Sequence, residues 1–237
     1  MPKSLRILGR IAVRLTLLGC LLWGGWWLLM AGDSPLPTQW HPLKPLDVAA
    51  DESWWTGVKL RRAVSSDRAC LAALDTGADY VSLPPLEGEG ACGIDPRVSL
   101  RAVGDVGLSP VETTCAVALR TAMWERHVLR PASQTLGSPI ARLHHQSSYN
   151  CRPIRGSTSR LSTHATAEAI DVRGVTLADG RRLELVSGWT GDGAEAAFWR
   201  AARDGACDWF VTVLGPDYNA LHADHFHLQS RGWGLCR

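Results

Sequence analysis

The sequence predicts an α+β fold: one domain with a central antiparallel sheet flanked by helices, preceded by one transmembrane helix. Three observations carry this reading. Helix-like and strand-like stretches follow one another in no regular order. The chain beyond its N-terminal segment is long enough for one compact core. The first 32 residues, in contrast, are unlike the rest. A doubly wound parallel sheet would call for strands and helices in strict alternation.

The N-terminal segment, residues 1–32, places Lys3, Arg6, Arg10 and Arg14 before an uncharged run of 18 residues from Leu15 to Gly32. At about 1.5 Å per residue that run spans roughly 27 Å, close to the hydrocarbon thickness of a bilayer. The positive flank predicts a cytoplasmic N-terminus and an exported remainder, with Trp26 and Trp27 near the outer interface. This reads as an uncleaved single-pass anchor in a bacterial inner membrane, with the C-terminal domain in the periplasm. A cleaved signal peptide is the alternative, although Leu29-Met30-Ala31 is a poor cleavage site. A lipid anchor at Cys20 is the minor one, since apolar sequence continues well past that cysteine. Four of the 25 basic residues and none of the 23 acidic ones fall in this segment, leaving 21 against 23 in the exported part. Nothing in that balance favours a nucleic-acid partner.

Residues 33–58, with Pro35, Pro37, Pro42 and Pro45, read as an extended linker, and residues 59–237 as the folded domain. Within it, 67–74 predicts a helix, and Val98 to Val111 predicts strands broken at Gly104 and Gly107. Thr113 or Thr114 caps a helix through Cys115, Leu119, Met123 and His127. Ala141 to Asn150 predicts a strand, 194–204 a helix carrying Phe198 and Trp199, and Trp209 to Leu214 a buried strand ended by Gly215-Pro216-Asp217. Trp189, Trp199, Trp209 and Trp233 are assigned to the core rather than to a sugar platform. Apart from Cys20, six cysteines remain, which in an exported domain implies three disulfides. Pairing in chain order gives Cys70–Cys92, Cys115–Cys151 and Cys207–Cys236 as the expectation.

The chemistry concentrates in two stretches. One is His222-Ala-Asp224-His225-Phe226-His227, which holds three of the eight histidines; the other is Ser162-Thr163-His164 through Asp171. Together they supply two histidines and a carboxylate able to hold a zinc ion, with groups to spare for acid–base work. On a strand, His225 and His227 share one face while Phe226 and Leu228 face the core, and Asp224 turns away from the metal. Ser162 can cap a turn carrying His164, after which Ile170 and Val172 are buried and Asp171 faces the opposite side. A carboxylate between two buried aliphatics is costly without a partner. Asp75-Thr76-Gly77 matches an aspartic-protease signature, but with one copy the simpler reading is a helix-ending turn in which Gly77 takes a positive φ.

Ser162-x-His164-x6-Asp171 with a late His225-x-His227 resembles the zinc peptidases of the LAS group, which includes D-alanyl-D-alanine carboxypeptidases and penicillin-insensitive murein endopeptidases. From about Cys70 to Cys236 the chain resembles the bacterial extensin-like C-terminal family more closely, through Ser148-Tyr149-x-Cys151-Arg152 and Leu214-Gly215-Pro216-Asp217-Tyr218-Asn219. The resemblance implies a LAS or hedgehog-like peptidase fold and Zn2+ held by His164, Asp171 and His227. It makes His225 the base or transition-state stabiliser; Asp224, placed to orient a ligand or His222, and His222 itself are read from the sequence as supporting catalytic residues. Arg152 becomes a substrate-binding arginine for a peptide carboxylate, with Arg155 the fallback and a structural arginine the alternative. Ser162 is a further substrate-binding candidate. Where the peptidase pattern usually has glycine this chain has Ala167, and where some carboxypeptidases have glutamate it has Asp224. The implied function is hydrolysis of peptide bonds in peptidoglycan stem peptides, as DD-endopeptidase or carboxypeptidase. The alternative is a non-catalytic wall-binding or scaffolding module that keeps the fold.

Overall fold

The computed structural model describes residues 3–237, so the first two residues of the expected anchor lie outside the described residues. It divides into two compact units: residues 1–46 with 50–61, and residues 47–49 with 62–237.

In the first unit, α1 (Lys3–Met30) is a single uninterrupted helix, and its Arg6–Met30 portion is long and apolar enough to be a membrane span or a signal sequence. Its last carbonyls have no partners within the helix. The segment that follows supplies them: Ser34 Oγ donates to Leu28 O at 2.6 Å and His41 Nε2 to Ala31 O at 2.9 Å. Residues 33–58 contain a 3-10 turn (Thr38–Trp40) and the start of helix α2 (Thr56–Ala63).

The second unit is the mixed α+β domain that the sequence predicts. Its elements run α3 (Asp67–Leu74), β1 (Ala78–Leu83), β2 (Leu86–Glu87), β3 (Gly93–Ile94), β4 (Arg97–Val103), β5 (Val106–Thr114) and α4 (Cys115–Trp124). A π-helical turn, α5 (Arg130–Ala132) and a 3-10 turn then lead to β6 (Ile140–His145). After a long irregular segment come β7 (Ala169–Leu177), β8 (Arg182–Glu184), α6 (Leu185–Gly188), α7 (Ala194–Trp209), β9 (Thr212–Leu214) and β10 (Phe226–Gln229). The main sheet has the order β1-β4-β5-β6-β7-β10-β9, with β8 added beside β7. Its pairs are antiparallel except β5 with β6. That parallel step follows from the helical crossover between the two strands, which returns the chain in the same direction. Trp124, Phe198, Trp199 and Phe226 are fully buried, and Trp124 Nε1 donates to Ala202 O of α7 at 2.9 Å.

Helix α3 spans the predicted 67–74, and Thr114 caps α4 by accepting from Val117 N at 3.4 Å. Several expectations are corrected. Gly104, at φ 54°, makes the β4–β5 turn, whereas Gly107 lies inside β5, where the pairing with β4 shifts register between Gly107 and Val111 without ending the strand. The strand expected to Asn150 ends at His145. Trp209 is the last residue of α7, and the following strand starts only at Thr212, because a short apolar run has no period that separates helix from strand. Gly77 has no positive φ; it is needed because a Cβ there would overlap Val48. Asp75 of the protease-like signature caps α3 and accepts the Tyr80 hydroxyl at 2.6 Å.

The disulfides are Cys70–Cys115, Cys92–Cys151 and Cys207–Cys236, so two of the three chain-order pairs are wrong. Packing of α3 on α4 brings the Cα atoms of Cys70 and Cys115 to 6.1 Å. The loop after β6 brings Cys151 to 5.6 Å from Cys92 beside the β2–β3 hairpin. Trp233 is corrected as well: it is fully exposed rather than a core residue.

Candidate metal centre

The centre is built by strand register. In the β10–β7 pair, His227 lies opposite Asp171, Phe226 opposite Val172 and Leu228 opposite Ile170. Directly opposed residues project from the same face, so this register sets imidazole against carboxylate and sends all four apolar side chains to the other face. Those four are completely buried, and Phe226 packs edge-on against Trp189 and Trp199, each with ring centroids 5.9 Å away. A one-residue slip would bury the polar face, so the apolar face holds the polar one in register. Asp171 is also pinned from the opposite edge: Gln146 N donates to its carbonyl at 2.8 Å and its own N–H donates to Ser147 O at 3.0 Å.

His164 arrives on a 3-10 turn (Thr163–Thr166) that Ser162 caps, the serine Oγ accepting from His164 N at 3.3 Å. The turn ends at Ala167 with φ 50°, the one non-glycine residue at positive φ among the described residues. This is where the peptidase pattern usually has glycine, and a left-handed conformation is the physical reason for that preference. Ala167 O is held by Thr113 Oγ1 at 3.1 Å and by Thr114 N and Oγ1 at 3.3 Å each.

The donor atoms of His164, Asp171 and His227 all lie within 4.8 Å of one another. His164 Nε2 is 3.2 Å from Asp171 Oδ2 and 3.1 Å from His227 Nδ1, and His227 Nδ1 is 2.7 Å from Asp171 Oδ1. The outer nitrogens are tied as metal-ligating histidines require. His164 Nδ1 donates to Ser148 O at 2.7 Å, leaving the Nε2 lone pair turned inward. The Gln229 amide lies 2.7 Å from His227 Nε2, and a half-turn of that amide presents its oxygen to an Nε2–H. Burial would raise the Asp171 pKa, but the close contacts with His164 and His227 outweigh it and hold the carboxyl well below its usual range. Burial lowers the His227 pKa against the pull of Asp171. An ionised carboxylate beside imidazole lone pairs is what a divalent cation binds. Two nitrogens and one oxygen form a donor set suited to zinc with a position left open.

Two further histidines stand beside this triad. His225 Nδ1 donates to Asp224 Oδ1 at 2.8 Å, which turns its Nε2 toward Asp171 Oδ1, 3.8 Å away. His222 lies on a 3-10 turn and donates from Nδ1 to Asn219 Oδ1 at 2.8 Å. Burial, with the charges of His227 and His225, pushes its pKa down to about 4. Asp224 therefore supports His225 rather than His222, and it sits outside the triad.

All eight sequence-selected residues line one cleft of about 980 Å³. Arg152 lies on its exposed wall, where Nη1 donates to Pro153 O at 3.3 Å. The contact Ser162 makes here is its cap. Ser148 and Gln229 were not singled out from sequence. Ser148 is buried, with its hydroxyl donating to Ala169 O at 2.6 Å, and it belongs to a stretch that marks the family resemblance. Gln229 follows His227 at the strand period of two, which is the signal that could have found it.

A family model described as "Extensin-like protein C-terminus" matches residues 68–237, well over half of the chain, and the chain belongs to that family. No curated protein and no solved structure matches.

Proposed function

We propose that this extensin-like chain is a zinc-dependent peptidase that hydrolyses peptide bonds in peptidoglycan stem peptides. The observation that carries the reading is the convergence of His164 Nε2, His227 Nδ1 and the Asp171 carboxylate at the cleft, with the outer nitrogens of both histidines tied. The likeness of these motifs to the LAS zinc peptidases supports the substrate class.

His164, Asp171 and His227 would hold the metal. A bound zinc supplies a Lewis acid and a water whose pKa falls to about 7. The remaining work belongs to side chains. Asp224 fixes the His225 tautomer, so His225 Nε2 can accept and return a proton at the cleft face of the triad. His222, held near-neutral by its lowered pKa, offers Nε2 as a second polar contact. Arg152 and Arg155, exposed on the cleft wall, can engage a peptide carboxylate. Helix α1 would hold the domain at the outer face of a bacterial inner membrane, in the periplasm, where that substrate is found.

The test is metal content and muropeptide digestion by the full chain in mild detergent. His227→Ala is expected to lose both zinc and activity, whereas His225→Ala keeps zinc and loses activity. Retention of both by His227→Ala would overturn the site. Stoichiometric zinc with binding to wall fragments and no cleavage would instead establish a wall-binding module.

A further inference from the structure

Trp233 is the most exposed large apolar side chain in the domain, and it lines the cleft of the metal centre. Its loop is nevertheless tightly held. On one side, Ser230 N and Oγ donate to Glu168 O at 2.9 and 3.2 Å. On the other, Val213 N donates to Leu235 O at 2.8 Å, Arg237 N to Val213 O at 3.0 Å, and Cys236 is bonded to Cys207 of α7. Only Arg231 to Gly234 lies between these anchors, with Trp233 between two glycines at φ 141° and 74°. A Cβ at Gly232 would fall on Thr212 Oγ1, so that position accepts glycine alone. Thr212 Oγ1 is itself buried, lacks a hydrogen-bond partner among the described residues, and belongs to the cleft lining.

The other wall is a hydrogen-bonded hairpin, closed by Ser162 N to Arg152 O at 3.0 Å and Ile154 N to Arg160 O at 2.8 Å. It presents Ile154 and Leu161, both exposed, with Arg152, Arg155 and Arg160. An indole carries roughly 150–250 Å² of surface, and leaving it in water is unfavourable unless something covers it. A disulfide and four hydrogen bonds hold this one in place beside a cationic rim. The occupant that fits both walls is a peptide with small apolar side chains and free carboxylates.

We propose that Trp233 is a specificity-determining residue that packs on the peptide flanking the scissile bond, while the arginine hairpin takes its carboxylates. The Cys207–Cys236 disulfide holds the indole at its post. This rests on the peptidase reading above and names how that site holds its substrate.

The test uses the zinc-loaded full chain, its Trp233→Ala and Trp233→Phe variants, and the double variant Cys207→Ala/Cys236→Ala. Sugar-free stem peptide prepared from peptidoglycan is the probe, with Kd by calorimetry and kcat and KM by product release. Because Trp233 is fully exposed, its loss should leave folding and zinc content intact. Trp233→Ala is expected to raise Kd and KM about 10- to 100-fold, as loss of an aromatic anchor does, with kcat little changed. Trp233→Phe should recover most of the loss, and the cysteine pair should raise KM with zinc retained. An unchanged Kd for Trp233→Ala would overturn the proposal. So would a loss that accompanies zinc loss. An absence of turnover in the unmodified chain would count against the peptidase reading alone, because Kd still reports on Trp233.

Discussion

Replacing Gln229 by leucine removes the group beside His227 Nε2 and little else. The amide lies 2.7 Å from that nitrogen, and the residue is half-buried at the end of β10, so leucine keeps most of its volume. Outer partners of ligating histidines contribute a factor of about 10–100 to metal affinity. At about 1.4 kcal/mol per tenfold, that is roughly 1.4–2.8 kcal/mol of zinc binding. Competition against a calibrated zinc chelator at constant pH measures it directly. Gln229→Leu should bind zinc about 10- to 100-fold more weakly, while Gln229→Glu, whose carboxylate accepts from Nε2–H, should bind at least as tightly as the unmodified chain. If both variants stay within about twofold of the original affinity, His227 does not ligate through Nδ1 and the geometry drawn above is wrong.

Phe226→Ala empties the fully buried space between Trp189 and Trp199 behind the site and should cost about 3–5 kcal/mol in denaturant unfolding. A loss below about 1 kcal/mol would contradict the role given to that face. At Ala167, glycine relieves a left-handed strain of about 1–2 kcal/mol but forfeits a buried methyl worth about 0.8 kcal/mol and adds unfolded-state freedom. Ala167→Gly should therefore stay within about 1 kcal/mol of the original, while Ala167→Val, β-branched and overpacked, should lose about 2 kcal/mol or more on the same assay.

The site was legible where its logic is local. Ile170-Asp171-Val172 and His225-Phe226-His227-Leu228 each announce a strand with one apolar and one polar face, and the observed register sets those faces against each other. Ser162 as cap and α3 over 67–74 were equally readable, because capping and helical period act within a few residues. What depends on long-range packing was not. Disulfide partners follow from α3 meeting α4 and from the path of the loop after β6, neither of which leaves a mark on cysteine spacing. Trp233, unlike the other three tryptophans assigned to the core, sits in no patterned element; only the path of the tail, stitched to β9, brings it to the mouth of the cleft. Ser148 contributes a carbonyl to His164, a role any side chain could accompany, so its identity carried no signal for that contact.

Digesting muropeptides with the zinc-loaded full chain in ¹⁸O-labelled water, and weighing the products, shows whether this centre cuts peptide bonds. New fragments are expected with one labelled oxygen in each newly formed carboxylate, lost in His225→Ala at unchanged zinc content. An unaltered muropeptide profile from a chain carrying stoichiometric zinc would contradict that cleavage.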